Sequence, residues 1–174
     1  MRKIMIMAAA SMIASICFGQ VPNMQPPAEM QGFGWMVGEW MDEGTWTMEG
    51  MDPMKVATSF KAEWDGQFLK QSAVNDFSGF MKMTETMMLG YDAAKKQYVS
   101  YSFTNMAPVP RVERGTMNGQ TLTMTSDPWE VMGEAHVSRA TMTKVNNDEL
   151  KMKLEFQVEG KWTTVMDTTY KRKK

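Results

Sequence analysis

The stretch LKMKLEFQVEGKW, residues 150–162, decides the fold of this chain. Apolar side chains occupy every second position from Leu150 to Val158, and lysine, glutamate or glutamine stands between them. This period of two is typical of an antiparallel strand that buries one face and exposes the other to water. Glu159-Gly160 then provides a turn before the apolar pattern resumes at Trp162. The stretch therefore predicts two antiparallel strands joined by a tight turn.

Similar alternating runs occur at residues 56–64, 81–91 and 99–103. In the last of these, Val99, Tyr101 and Phe103 are expected to share the buried face. Residues that favour turns lie between the runs, at Asp65-Gly66, Asp92 to Lys96, Asn118-Gly119 and Asn146-Asn147-Asp148. Asn118-Gly119 is the strongest short hairpin signal in the chain. Counting the runs predicts about nine or ten strands.

Strands in series with short turns favour a closed sheet, because an open sheet leaves edges that invite aggregation. We therefore predict an all-β fold, an antiparallel up-and-down barrel, and a barrel of this size has room for a small ligand. A two-sheet sandwich is the alternative, but it needs longer crossovers than the turns allow. A short helix from Pro27 to Val37, with Met30, Phe33 and Met36 on one side, is predicted before the first strand.

The N-terminus has the order of a secretory signal peptide: Arg2 and Lys3, then an uncharged stretch from Ile4 to Phe18. We predict a signal peptide at residues 1–19, a flexible leader at 20–31 and a single barrel domain at 32–174. The protein is then exported, to the periplasm or beyond, with no membrane span in the mature chain. Lipidation at Cys17 is the alternative, but the bulky Ile16 before it fits that recognition poorly.

Composition excludes several classes of function. The chain has 174 residues and a formal net charge of −1, which gives no electrostatic basis for binding nucleic acid. Removal of the signal peptide removes Cys17, the only cysteine, and leaves His136 as the only histidine. A catalytic cysteine, a Ser-His-Asp triad and a Cys/His zinc site are therefore not expected. We predict a protein that is not an enzyme and has no cofactor or bound metal.

Four short motifs give the chain a resemblance to known families. They are Gly38-Glu39-Trp40 at the start of the first strand, Leu89-Gly90-Tyr91-Asp92 followed by Lys95 to Val99, Gly115-Thr116 followed by Asn118 to Leu122, and the ending Asp167 to Arg172. The first resembles the Gly-x-Trp start of lipocalin-like barrels, and the other three resemble the bacterial family called domain of unknown function 1579. The resemblance implies a secreted or cell-envelope lipocalin-like barrel, and it brings no established activity. The Gly-x-Trp start is also similar to that of haem-binding nitrobindin barrels, which need a proximal histidine. His136 lies well before the final strands, so haem binding is not expected.

Glu85 interrupts an apolar face, and a regular strand places it inside the barrel, where a carboxylate needs a partner. Arg139 alternates with Val137 and Thr141 and is expected inside as well. A bulge near Met87-Met88 that turns Glu85 outward, and a solvent-facing Arg139, are the alternatives. The predicted ligand-binding residues are Trp40, Phe60, Met83, Glu85, Tyr101, Arg139 and Phe156. Trp129, in the longest late loop, is either a cover over the ligand or a packing residue.

These features favour a barrel that binds a small hydrophobic or amphipathic molecule in a cavity of several hundred Å³. One alternative is an envelope protein with a solid core and a structural or interaction role. Another is a soft-metal or oxidant-handling protein, because the chain has 22 methionines, whose thioethers can bind Cu(I). The sequence leaves the oligomeric state open.

Overall fold

The structure is a computed structural model that describes residues 25–47, 52–131 and 133–174. Two short helices precede the strands, α1 at Ala28–Gln31 and a 3-10 helix at Gly34–Met36. The strands are β1 Gly38–Trp46, β2 Met54–Asp65, β3 Phe68–Phe77, β4 Met81–Asp92, β5 Gln97–Thr104, β6 Arg111–Asn118, β7 Thr121–Ser126, β8 Trp129–Val131, β9 Glu134–His136, β10 Ser138–Lys144, β11 Glu149–Val158 and β12 Lys161–Arg172.

Ten of the described strands form one closed barrel, in the order β1-β12-β11-β10-β7-β6-β5-β4-β3-β2. Each neighbouring pair is antiparallel, and β1 closes the barrel against β12 through Trp40 opposite Arg172 and Met41 opposite Lys171. The predicted up-and-down barrel is therefore confirmed. One feature was not predicted: β8 and β9 form a separate hairpin between β7 and β10, where the sequence suggested a loop.

The predicted turns join the strands in the way the sequence indicates. Gly66, Gly119 and Gly160 have positive φ angles of 58°, 59° and 77°, which a glycine adopts without steric cost. Gly115 has a different role, in the pairing of β6 with β7. A Cβ atom added there would collide with the carbonyl oxygen of Thr123. The two backbones therefore approach each other at Gly115 more closely than any other residue would permit.

The two short helices close one end of the barrel. Met30, Phe33 and Met36 are all buried, as the helical spacing predicted. They pack with Trp40, Phe60, Leu69, Leu89, Tyr98, Leu122, Leu150, Tyr170 and other apolar residues in one core cluster. Tyr98 Oη donates a hydrogen bond of 3.1 Å to the carbonyl oxygen of Glu29, and Trp40 Nε1 donates one of 2.8 Å to that of Met36. We call this end the helix-capped end.

The N-terminal predictions fall largely on residues outside the described ranges. The predicted signal peptide, residues 1–19, and the first part of the predicted leader, residues 20–24, are among these. Helix α1 already belongs to the core through Met30, so the folded domain starts before the predicted boundary at residue 32. Within the described ranges, no helix has the length and apolar character needed to cross a membrane.

Strand β5 faces the opposite way from the prediction. Tyr98, Ser100 and Ser102 are buried, whereas Tyr101 and Phe103 are exposed on the outside of the barrel. The pairing with β4 explains this orientation, because Tyr98 lies opposite Tyr91 and Ser100 lies opposite Leu89. Directly paired residues share a face. The inner face of β4 therefore fixes which side of β5 is buried, although the larger apolar side chains of β5 are on the other side.

Candidate functional site

The barrel encloses a cavity of about 390 Å³ between its two core clusters. The first cluster lies at the helix-capped end, and the second gathers Trp129, Leu154, Phe156, Val165 and Met166 at the opposite end. A volume of this size is typical of a site for a small organic molecule. The walls are mostly apolar, so the arrangement of the polar groups among them affects which ligand fits.

Methionine is the commonest residue of the cavity wall. Nine methionines line it: Met54, Met81, Met83, Met87, Met106, Met124, Met142, Met152 and Met166. Methionine is unbranched and polarizable, so it adapts to ligands of irregular shape. Much of the unusual methionine content of this sequence therefore lines a wall that can adjust its shape.

One charged cluster interrupts this apolar wall. Arg111, at the start of β6, places Nη2 3.3 Å from Glu85 Oε1 on β4 and Nε 3.5 Å from Glu113 Oε1. Glu113 Oε2 in turn accepts a hydrogen bond of 3.0 Å from Ser100 Oγ on β5. Glu85 and Glu113 are thus held on either side of one guanidinium by three adjacent strands. We call Glu85, Arg111 and Glu113 the buried ion triad.

The triad keeps Arg111 charged. Burial alone would lower the pKa of Arg111, but the negative charges of Glu85 and Glu113 outweigh it and raise that pKa above its ordinary value. Removal of the guanidinium would therefore leave two carboxylates in an apolar cavity with no lysine and no other arginine among the described lining residues.

The triad has spare hydrogen-bonding capacity. Arg111 Nε and Glu113 Oε1 are both buried, and neither has a hydrogen-bond partner among the described residues. Gln71 Oε1, which belongs to another lining residue, is buried without a partner as well. Buried polar atoms nearly always find a partner in native proteins. Unmatched polar atoms in a cavity wall are therefore places where a bound molecule or water can bind.

A second polar group lies where the wall meets the helix-capped end. Tyr170 on β12 lines the cavity, and burial raises the pKa of its phenol, against the smaller lowering by the hydrogen bond with Thr58. Thr58 Oγ1 donates its hydrogen bond, of 2.9 Å, to Asn75 Oδ1. The phenol stays protonated at neutral pH, so this part of the wall is polar but uncharged.

The β8–β9 hairpin covers the other end of the cavity. Trp129 is buried, with its indole 5.0 Å from the Arg111 guanidinium carbon and edge-on to Phe156 at 6.5 Å. His136 stacks on Phe156, with the ring centres 4.9 Å apart. Glu134 lines the mouth but its side chain is mostly in solvent. Trp129 therefore packs against Phe156 and Arg111 and also covers this end of the cavity. The two interpretations of this residue, a cover and a packing residue, are compatible.

The structure places the seven predicted site residues in three groups. Met83, Glu85 and Phe156 line the cavity. Strand β4 keeps an unshifted register with β3 and β5 at Glu85, so the alternative of a bulge that turns this residue outward is wrong. Trp40 and Phe60 are buried but lie outside the cavity wall, stacked on each other at 6.0 Å in the helix-capped end.

Two predicted residues face away from the cavity. Tyr101 is 45% exposed on the outer surface, because the pairing with β4 turns Ser100 and Ser102 inward. Arg139 lies outside because its neighbour Ala140 lines the cavity. On the outer face, Arg139 Nη2 is 2.7 Å from Glu155 Oε2 and its guanidinium stacks over Trp162. The prediction that these two side chains face the interior is wrong.

The sequence-based prediction missed most of the charged cluster. Arg111 and Glu113 are two residues apart on one strand, so a regular strand places both on one face. That spacing indicates that the two charges share a face, and a Glu85 inside the barrel requires a cationic partner. Among the described residues, no group of three or more histidine, cysteine, aspartate or glutamate side chains is arranged to hold a metal ion.

Two solved structures are similar to this barrel. The crystal structure of Rv2717c from M. tuberculosis has a TM-score of 0.67 and 14% identity, covering 86% of this chain and 100% of that one. The S-type phycobiliprotein lyase CPES from Guillardia theta has a TM-score of 0.58 and 12% identity, covering 84% of this chain and 93% of that one. At these identities the likeness shows a shared fold and no more.

Curated proteins contain no significant match to the sequence. Residues 25–172 match a family described as a protein of unknown function (DUF1579), and this span includes every barrel strand. The match agrees with the resemblance carried by the Leu89, Gly115 and Asp167 motifs. The chain therefore belongs to the DUF1579 family of proteins of unknown function.

Proposed function

We propose that this protein binds a small amphipathic molecule inside its barrel and acts as a carrier or receptor for it, without chemistry of its own. The observation that carries this proposal is the cavity of about 390 Å³, with apolar walls and one buried ion triad. An apolar pocket with a few convergent polar groups is the usual form of a small-molecule site. A solid-core structural protein would have filled this volume with side chains.

One of the similar barrels supports the general idea in a limited way. It is named as a phycobiliprotein lyase, so a barrel of this fold occurs in a protein named for action on a phycobiliprotein. The support for binding in this chain comes from its own cavity, since fold alone does not define function.

The test uses N-phenyl-1-naphthylamine, an apolar dye whose fluorescence rises in dry sites. We expect saturable binding to the wild type. Ala140 lines the cavity, so Ala140→Trp should fill it and weaken binding about tenfold or more. Ala57 is exposed on the outer surface, so Ala57→Trp is the matched control and should bind as the wild type does. Equal binding by all three proteins, or none by the wild type, would contradict an internal site.

A second candidate function rests on the nine thioethers of the cavity wall. Met81 and Met83 are two residues apart on β4 and both line the cavity, where soft sulfur ligands suit Cu(I). A rise in melting temperature with Cu(I) under reducing conditions, lost in Met83→Leu but kept in Met88→Leu, would support this function. Met88 does not belong to the cavity wall, so it is the matched control. Absence of any shift would end this candidate.

The place of action is proposed from the N-terminal residues. Arg2, Lys3 and the apolar stretch after them have the order of a signal peptide, so we propose export to the periplasm or beyond. Cell fractionation followed by N-terminal sequencing tests this. A mature protein that begins at Gln20 in an envelope or extracellular fraction is expected, and an uncleaved protein in the cytoplasm would contradict it.

A further inference from the structure

We infer that the ligand presents a cationic, hydrogen-bond-donating end to Glu113 and Glu85 and lays its apolar body along the methionine wall. This inference rests on the proposed function and names the chemical class of its ligand. Two properties of the buried ion triad carry it: an unequal number of charges, and a buried carboxylate oxygen, on a residue of the cavity wall, that has no hydrogen-bond donor among the described residues.

The charges in the cavity are unbalanced. Two carboxylates of the triad face one guanidinium, and the remaining acidic group, Glu134, adds negative charge at the mouth. No lysine belongs to the cavity wall within the described ranges, and His136 is the only other basic residue there. Arg111 is already shared between Glu85 and Glu113, so its charge is neutralised. An entering anion would therefore meet a site that is negative overall, whereas a cation would balance it.

The buried atoms without hydrogen-bond partners also favour a cationic ligand. Glu113 is almost fully buried, and its Oε1 has no hydrogen-bond donor among the described residues. The nearest cationic group to it is Arg111 Nε at 3.5 Å, which is too far for a good hydrogen bond. Ser100 Oγ donates to Oε2, which fixes the orientation of the carboxylate and leaves Oε1 without a hydrogen-bond donor among the described residues. A primary amine or amidinium supplies the missing donors and the missing charge together.

The free donors do not favour an anionic ligand. Arg111 Nε is directed toward the unpaired Glu113 oxygen, so an anion that approached it would also approach a carboxylate. Trp129 Nε1 is the other buried unpaired nitrogen of a lining residue, and it belongs to the hairpin at the mouth. Gln71 adds a further unpaired acceptor, Oε1, to the wall. The available acceptors of the cavity therefore require a donor-rich end on the ligand.

The test compares three probes that share one tail: decylamine, decanol and decanoate, below their micelle concentrations at pH 7.5. Isothermal titration should give decylamine the highest affinity, about tenfold above decanol, which corresponds to one charged hydrogen bond. Decanoate should bind most weakly. If decanoate binds as well as decylamine or better, the inference is overturned while the proposed function stands. If no probe binds, the proposed function itself fails.

Substitutions test which residues cause the expected preference for decylamine over decanol. Glu113→Gln should reduce the ratio of decylamine to decanol affinity about tenfold. Glu85→Gln should reduce the same ratio. If Glu113→Gln does not fold, Glu85→Gln provides the test instead. Glu63 alternates with the buried Ala62 on β2 and forms an ion pair with Lys61 outside the cavity, so Glu63→Gln is the matched control and should keep the wild-type ratio. An unchanged ratio in a folded Glu113→Gln or Glu85→Gln protein would overturn the assignment.

Discussion

Replacement of Arg111 by methionine tests whether the ion triad is held as the structure shows. The side chains of Arg111, Glu85 and Glu113 are 14%, 15% and 4% exposed, so all three charges are largely removed from water. Arg111→Met keeps most of the volume and removes the only buried cation of the triad. Breaking a buried ion pair by removing one partner costs about 3–5 kcal/mol, because an uncompensated charge stays in the interior.

The assay is urea unfolding followed by tryptophan fluorescence. We expect Arg111→Met to lower the free energy of unfolding by about 3–5 kcal/mol. Removing the two carboxylates as well, in Glu85→Gln/Arg111→Met/Glu113→Gln, should restore much of that loss, because no unpaired charge is then buried. This recovery separates an electrostatic cause from lost packing, which the triple variant would not repair.

Arg114 provides the matched control, three residues further along the same strand. It points to the outside, where its Nη1 donates hydrogen bonds of 2.7 and 2.6 Å to the two oxygens of Asp127. This pair is exposed to water, so Arg114→Met should have a much smaller effect than Arg111→Met. If the two single variants lower the unfolding free energy equally, or if the triple variant recovers nothing, the electrostatic account of the triad is refuted.

Three further predictions follow from single positions. Gly115→Ala should severely destabilise or abolish folding, because its Cβ meets the Thr123 backbone, whereas Gly34→Ala, with open space around it, should fold normally in circular dichroism. Trp129→Ala should speed both entry and release of the naphthylamine dye in stopped-flow measurements, because Trp129 covers the cavity; unchanged rates would count against that role. Tyr170 has a raised pKa in the folded state, so its stabilising effect is complete below about pH 10, where an unfolded tyrosine ionises, and is lost as the pH rises further. Tyr170→Phe should therefore flatten the fall in unfolding free energy above pH 10, and an unchanged slope would show that other groups cause it.

The barrel was predictable because its evidence is local and repeated. Each alternating run and each turn, such as Asn118-Gly119, identifies one piece, and the short connections leave few ways to arrange ten antiparallel strands. The helix at the capped end was predictable for a similar reason, since Met30, Phe33 and Met36 have helical spacing. Closure itself followed from an argument about exposed edges rather than from any single residue.

The orientation of individual strands was harder to predict, because it depends on pairing that single strands do not reveal. On β5 both faces carry aromatic residues, and Tyr98 rather than Tyr101 is inside because it lies opposite Tyr91. On β10, Arg139 is outside because Ala140 pairs with Leu154, an inner residue of β11. A shift of one residue exchanges the two faces of a strand, so hydrophobicity alone cannot decide such cases.

Prediction of the buried ion triad requires both the residue pattern within each strand and the pairing between strands. Glu85 was predicted inside from its own strand, but its partner Arg111 is 26 residues away in sequence and reaches it across β5. Only the closed barrel brings β4, β5 and β6 together with their inner faces toward one space. The isolated pattern Arg111-Val112-Glu113 is equally compatible with a solvent-facing pair of charges.

The methionines of the cavity wall and the buried ion triad impose different demands on a ligand. Nine flexible methionines can repack around tails of different shape, whereas Glu85, Arg111 and Glu113 are fixed by ion pairs and by Ser100. Apolar residues of similar volume in place of a buried ion triad often leave stability unchanged or improve it. Stability therefore gives little reason for charges at this position, and recognition of a charged group gives one. A wall that adapts and a cluster that does not would together select ligands by their polar end and accept variation in the rest.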